Sequence, residues 1–163
     1  GKSPRPDELI SQALKGLDDK YSLYHYKTDV SHLLIGPSGV YALLPFNQNG
    51  KISYDGVKNR WTQKGGNAFL KIFGGEGLGR PDLDVKYAQS DVQKFFIKKK
   101  IDIGDISPEV ILVFTNEKAE LNIQDSIIPA VPSSKLKDYI RKRTKTNPMT
   151  NEIQNKIHES ITK

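Results

Sequence analysis

The 163-residue sequence contains no cysteine. That absence excludes disulfides, thiolate nucleophiles and zinc–thiolate centres in one step. No run approaches the ~18 apolar residues that span a bilayer, and no signal-peptide core is visible. These absences lead to the expectation of a cytoplasmic domain. The chain opens on Gly1-Lys2-Ser3 without a methionine, so tethering to a membrane by a segment outside it stays open. Standard catalytic signatures are missing as well. Gly74-Gly75-Glu76-Gly77-Leu78-Gly79 lacks the spacing of a phosphate loop and any following Lys-Ser/Thr, so it reads as a linker. Gly36-Pro37-Ser38-Gly39 is no nucleophile elbow. The histidines His25, His32 and His158 are scattered, without a metal-binding HxxxH pair. No metal site and no cofactor are expected from this inventory.

What is present describes a folded protein. Hydrophobic residues make up 36%, aromatics 9% and charged residues 27%, ordinary values for a globular domain. The length fits one domain with a core of its own. A main domain is placed over 1–146 and a helical extension over 147–163. The net charge of +6 permits an anionic partner without requiring one.

The densest signal is a pair of apolar runs about a turn. His32 to Ile35 and Val40 to Leu44 flank Gly36-Pro37-Ser38-Gly39 and read as a buried hairpin over about 30–36 and 40–46. Pro37 presets one turn dihedral, and Gly39 accepts positive φ. Before the hairpin, Leu9, Ile10, Ala13, Leu14 and Leu17 share one face of a helix over about 7–18. Pro6 fits its first position and Asp7 and Glu8 suit its dipole. Tyr21 to Lys27 alternates like a strand. After the hairpin, residues 51–54 and 59–63 read as an antiparallel pair anchored by Trp61, and 67–73 as a short helix. Val85, Ala88, Val92, Phe95 and Phe96 line a long helix over about 82–99, closed by Lys98-Lys99-Lys100. Val110 to Phe114 has no polar break, as expected of a strand covered on both faces. A strand over 127–131, a helix from the capping Ser133-Ser134 to about 143 and a last helix over 149–161 complete the chain. The order gives an α/β fold with a central mixed β-sheet flanked by helices.

The run His32-Leu33-Leu34-Ile35-Gly36-Pro37-Ser38-Gly39-Val40-Tyr41-Ala42-Leu43, followed by a turn ending in Gly50 and then Trp61, resembles the nuclease-related domain (NERD) family. That family is similar to the restriction-endonuclease-like nucleases, and the resemblance covers about residues 5–140. It implies a restriction-endonuclease-like fold whose central hairpin holds a Mg²⁺-dependent phosphodiesterase site. The family places an Asp just before the first strand's His, a Glu-x-Lys at the end of the second strand, and a Glu on the first helix.

Carried onto this chain, the Asp position is Ser31, the Glu position Leu44 and the Lys position Phe46. Leucine cannot bind a hard cation and phenylalanine carries no charge. Glu8 is the counterpart of the helical Glu, and a Gln often found on the long helix corresponds to Asp84. Asp29, two residues before Ser31 on the same face of an extended strand, is the candidate for rescue. The resemblance therefore implies a degenerate nuclease domain acting as a binding or scaffold module, with no catalytic residue expected. One alternative is a divergent Mg-dependent nuclease using Asp29 and Glu8. Another is a protein–protein interaction domain of a larger protein. The stretch 135–145 carries six cations against the single Asp138. Lys135, Lys137, Arg141, Lys142, Arg143 and Lys145 are thus the candidates for contact with nucleic acid phosphates.

Overall fold

The computed structural model describes residues 4–68, 77–143 and 149–162. The elements run α1 (Pro6–Ala13), β1 (Ser22–His25), β2 (His32–Gly36), β3 (Gly39–Phe46), β4 (Gly50–Asp55), β5 (Arg60–Lys64), α2 (Pro81–Lys99), β6 (Glu109–Phe114), β7 (Ala119–Ile123), β8 (Ala130–Pro132), α3 (Ser133–Arg141) and α4 (Asn151–Thr162). The fold is α/β, with a mixed five-stranded sheet in the order β1-β2-β3-β6-β8 between helices. β1, β2 and β3 are an antiparallel meander, whereas β6 runs parallel to both β3 and β8.

Alternation along the strands divides the core in two. On one face Leu34, Tyr41, Leu43, Ile111 and Val113 pack against Ile10 and Leu14 at α1 and Leu136 and Ile140 of α3. On the other, Leu33, Ile35, Val40, Ala42, Val110, Leu112 and Phe114 meet the α2 stripe Val85, Ala88, Val92, Phe95 and Phe96. Fully buried Ile157 brings α4 onto this second face. Met149 N–H also donates to Pro37 O at 3.2 Å. The unbroken apolar run of β6 thus serves both layers.

The expected β4–β5 pair belongs to a second, three-stranded sheet in the order β5-β4-β7, whose third strand was not foreseen. This sheet continues the first. β3 passes into β4 and β6 into β7 side by side, with β4 and β7 again parallel. At the crossing Thr115 N–H donates to Phe46 O at 2.9 Å and the Asn116 side-chain amide to Asn47 O at 3.2 Å.

Several element boundaries are corrected. α1 ends at Ala13, with Leu14 as C-cap, rather than near residue 18. The expected strand over 127–131 shrinks to Ala130–Pro132, because Ser126 Oγ donates to Ile128 O and turns the chain; Ile127 is left 92% exposed. The expected antiparallel pairing of β4 with β5 is present; β4 also takes a second partner, Ala119–Ile123, to which the sequence pattern assigns no element. Ser133 and Ser134 do not cap α3; they are its first residues, and Pro132 is the N-cap without a side-chain bond. The expected short helix at 67–73 and the glycine linker fall mostly outside the described residues. No described helix is long and apolar enough to cross a membrane.

Candidate functional site

The β2–β3 hairpin directs its open end toward a cleft of about 350 Å³. Its floor is the carboxyl end of β3: Leu43, Leu44, Pro45 and Phe46. Pro45 fits there because the β2–β3 pairing stops at Ala42, leaving its missing N–H no partner to deprive on that side. Phe46 stacks on Phe114 with ring centroids 5.4 Å apart. The loop 26–31 and the amino-terminal half of α2 form the walls, and Pro6 touches the cleft from α1.

The positions singled out by the resemblance do gather here. Ser31, Leu44, Phe46, Asp29 and Asp84 all line the cleft. Glu8 does not. Its carboxylate accepts the Arg5 backbone N–H at 3.2 Å and pairs with the Arg5 guanidinium at 3.2 Å, closing the first turn of α1. Asp29 is held by Lys98 Nζ at 2.7 Å. This donor set does not fit Mg²⁺, which needs several oxygen ligands in octahedral array. The strand ends offer a leucine and a phenylalanine, and the one strand-side carboxylate already has an ammonium. Among the described residues no group of three or more His, Asp or Glu stands close enough to hold a metal ion.

The cleft is acidic all the same. Asp84 and Asp91 enter from α2 alongside exposed Tyr87. Burial, and then the neighbouring Asp82, raise the Asp84 carboxyl above its ordinary pKa. Asp91 had no signal in the sequence beyond its place one heptad after Asp84.

A histidine pair, of which His32 lines the cleft, was also missed. His25 and His32 are register partners across β1 and β2, and their Nδ1 atoms lie 2.8 Å apart. His25 Nε2 is 2.8 Å from Ser11 Oγ on α1. The arrangement Ser11–His25–His32 has the order of nucleophile, base and orienter. Yet Ser11 sits within α1, where backbone N–H groups serve the helix and offer no oxyanion donors. The contact is better described as a shared proton. One N–H fits between the two Nδ1 atoms, and a second would repel it. Burial lowers the pKa of both rings; His25 lowers that of His32 further, and Asp7 opposes this in both. The folded state therefore binds fewer protons than the unfolded chain, so this stabilisation is full above the unfolded value near 6.5 and lost as pH falls through the folded values. Urea midpoints measured between pH 7 and about pH 5 are expected to fall for the wild type, with a shallower slope in His32→Gln. Equal slopes would remove the pair from the acid response.

The basic helix is partly committed to its own chain. Lys137 Nζ donates to Lys15 O at 2.9 Å and Arg141 to Gly16 O at 3.0 Å, tying α3 to the end of α1. Arg143 pairs with Glu109 at 2.9 Å and lies over the Tyr139 ring. Burial, then the hydrogen bond it donates to Glu109, raise the Tyr139 pKa. Lys135 and Lys142 remain exposed, and Lys145 lies outside the described residues. Ser38 ends the opposite side of the hairpin, its hydroxyl 2.6 and 2.7 Å from those of Tyr21 and Tyr41.

No protein-family model, curated protein or solved structure matches this chain.

Proposed function

We propose that this chain is a catalytically silent nuclease-related domain: a restriction-endonuclease-like scaffold that works by binding. The observation that carries this reading is the chemistry at the carboxyl end of β3. Where a hydrolytic site needs carboxylates and a lysine, Leu44 and Phe46 form an apolar floor and Ser31 stands at the Asp position. The element order, with a helix, an antiparallel meander, a long helix and then a strand parallel to β3, supports the scaffold. Fold resemblance alone would not carry function; the side chains in the cleft do.

Binding has two candidate surfaces. The nucleic acid reading on α3 now rests chiefly on Lys135 and Lys142, since three neighbouring cations already serve the fold. The cleft is the more built of the two, with a floor, two walls and, at Asp84 and Asp91, carboxylates without an ion-pair partner among the described residues.

Incubation with plasmid and single-stranded DNA in Mg²⁺ or Mn²⁺ is expected to give no cleavage above background. Metal-dependent cleavage that disappears in Asp29→Ala or Glu8→Ala would replace this reading with the divergent nuclease. A mobility shift at low salt, abolished by neutralising Lys135 and Lys142 and steeply weakened by added salt, would establish nucleic acid as the α3 ligand. No shift at low salt would leave a protein partner.

A further inference from the structure

Among the described residues, the cleft's lining contains Asp29, Asp84 and Asp91 and no lysine or arginine, on a chain whose net charge is +6. Lys98 answers Asp29. Asp84 and Asp91 have no ion-pair partner among the described residues. The charge therefore runs against the protein's overall sign and against a phosphate ligand.

The apolar part of the cleft has a definite shape. Asp84, Tyr87, Ala88 and Asp91 fall at i, i+3, i+4 and i+7 of α2, one helical face. That face rises beside Leu44 and Phe46. Tyr87 is 62% exposed, as is Tyr26 on the facing loop, so two aromatic rings stand at the mouth. An anionic phosphate chain gains nothing here. A long side chain with an apolar stem and a cationic head gains at both ends: the stem covers Leu44 and Phe46, and the head reaches a carboxylate or a ring face.

Spacing narrows the ligand further. Two turns of helix separate Asp84 from Asp91 by about 10 Å along the axis. In a polyproline II segment, residues i and i+3 lie on one face about 9 Å apart. In a β-strand, residues three apart point to opposite faces.

We infer that this cleft is a docking groove for an extended basic segment of a protein partner, in polyproline II conformation, with two arginine or lysine side chains three residues apart seated at Asp84 and Asp91. Stems of those side chains lie on the floor made by Leu44 and Phe46, and Tyr26 and Tyr87 flank the backbone. The inference rests on the non-catalytic reading of the same cleft and names its partner.

Fluorescence anisotropy with a fluorescein-labelled Arg-Pro-Pro-Arg peptide tests it, with the Glu-Pro-Pro-Glu peptide as counterpart. Saturable binding of the arginine peptide alone is expected. The combination Asp84→Asn with Asp91→Asn is expected to weaken it at least tenfold, with the thermal midpoint unchanged. Tyr87→Ala, on an exposed helical site, is expected to weaken it without touching the carboxylates. The inference is overturned if the arginine peptide fails to bind at low salt, or if both variants bind as the wild type does. Failure here with no DNA cleavage leaves the non-catalytic domain standing without this partner; metal-dependent cleavage removes the domain reading itself.

Discussion

Leu112→Ala is expected to destabilise the protein by about 2–5 kcal/mol, read as a lower urea midpoint at an unchanged denaturant slope. Leu112 has no exposed surface. It lies on the interior strand β6, between Leu44 of β3 and Ala130 of β8, and its side chain enters the layer closed by α2. Removing its methyl groups leaves a cavity bounded by elements fixed through other contacts, so little collapse can fill it. Ile127→Ala provides the contrast. Ile127 is equally apolar in the sequence but 92% exposed, and its loss is expected to cost no more than about 0.5 kcal/mol. A Leu112→Ala protein as stable as Ile127→Ala would show that β6 is not the centre of the core.

Gly50→Ala is expected to cost at least about 3 kcal/mol, from two separate causes. Gly50 has φ +80, where an alanine pays roughly 1–2 kcal/mol for its Cβ. That Cβ would also stand 2.6 Å from Lys64 O and 2.8 Å from Gly65 O. Both are backbone atoms at the end of β5, so relief requires parting the β4–β5 hairpin next to the Lys51–Lys64 register pair. Gly65→Ala separates the two causes. Gly65 has φ +72 but open space around its Cβ position, so only the conformational cost applies. Comparison of urea midpoints is expected to rank Gly50→Ala well below Gly65→Ala; equal losses would remove the carbonyl contact from the account.

Much of this fold is legible in the sequence because it is written in local pattern. The stripe from Val85 to Phe96 announces α2, and the run Val110 to Phe114 announces a strand covered on both faces. The turn at Pro37 and Ser38 fixes the hairpin, whose register closes with Gly36 opposite Gly39. What escaped depends on distant partners. Ala119, Leu121 and Ile123 alternate with Glu120 and Asn122, but three half-buried residues and two exposed ones make a weak signal until β4 is there to pair with. Ile127 and Ile128 looked more like a strand and are not one, since side-chain bonding at Ser126 overrides apolar content. The cleft shows the same division. Replacement of the nuclease positions by Ser31, Leu44 and Phe46 is readable from the motif. Asp84, Tyr87 and Asp91 look like an ordinary solvated helix face, and only the placement of α2 beside the end of β3 makes them a wall. The His25–His32 contact is invisible without strand register, because seven positions of sequence collapse to one rung of the sheet.

The crossing between the two sheets has a mechanical consequence. Two adjacent strands leave the main sheet together, β3 into β4 and β6 into β7, and Thr115 and Asn116 bond across to Phe46 and Asn47 at the point of departure. A single strand there would act as a swivel, free to turn about its own dihedrals. A bonded pair of strands is a strap: it bends about one axis and resists twist. The β4–β5 hairpin is therefore carried as a stiff arm of the same body, and a load applied at its tip reaches the floor of the cleft through Phe46 and Phe114.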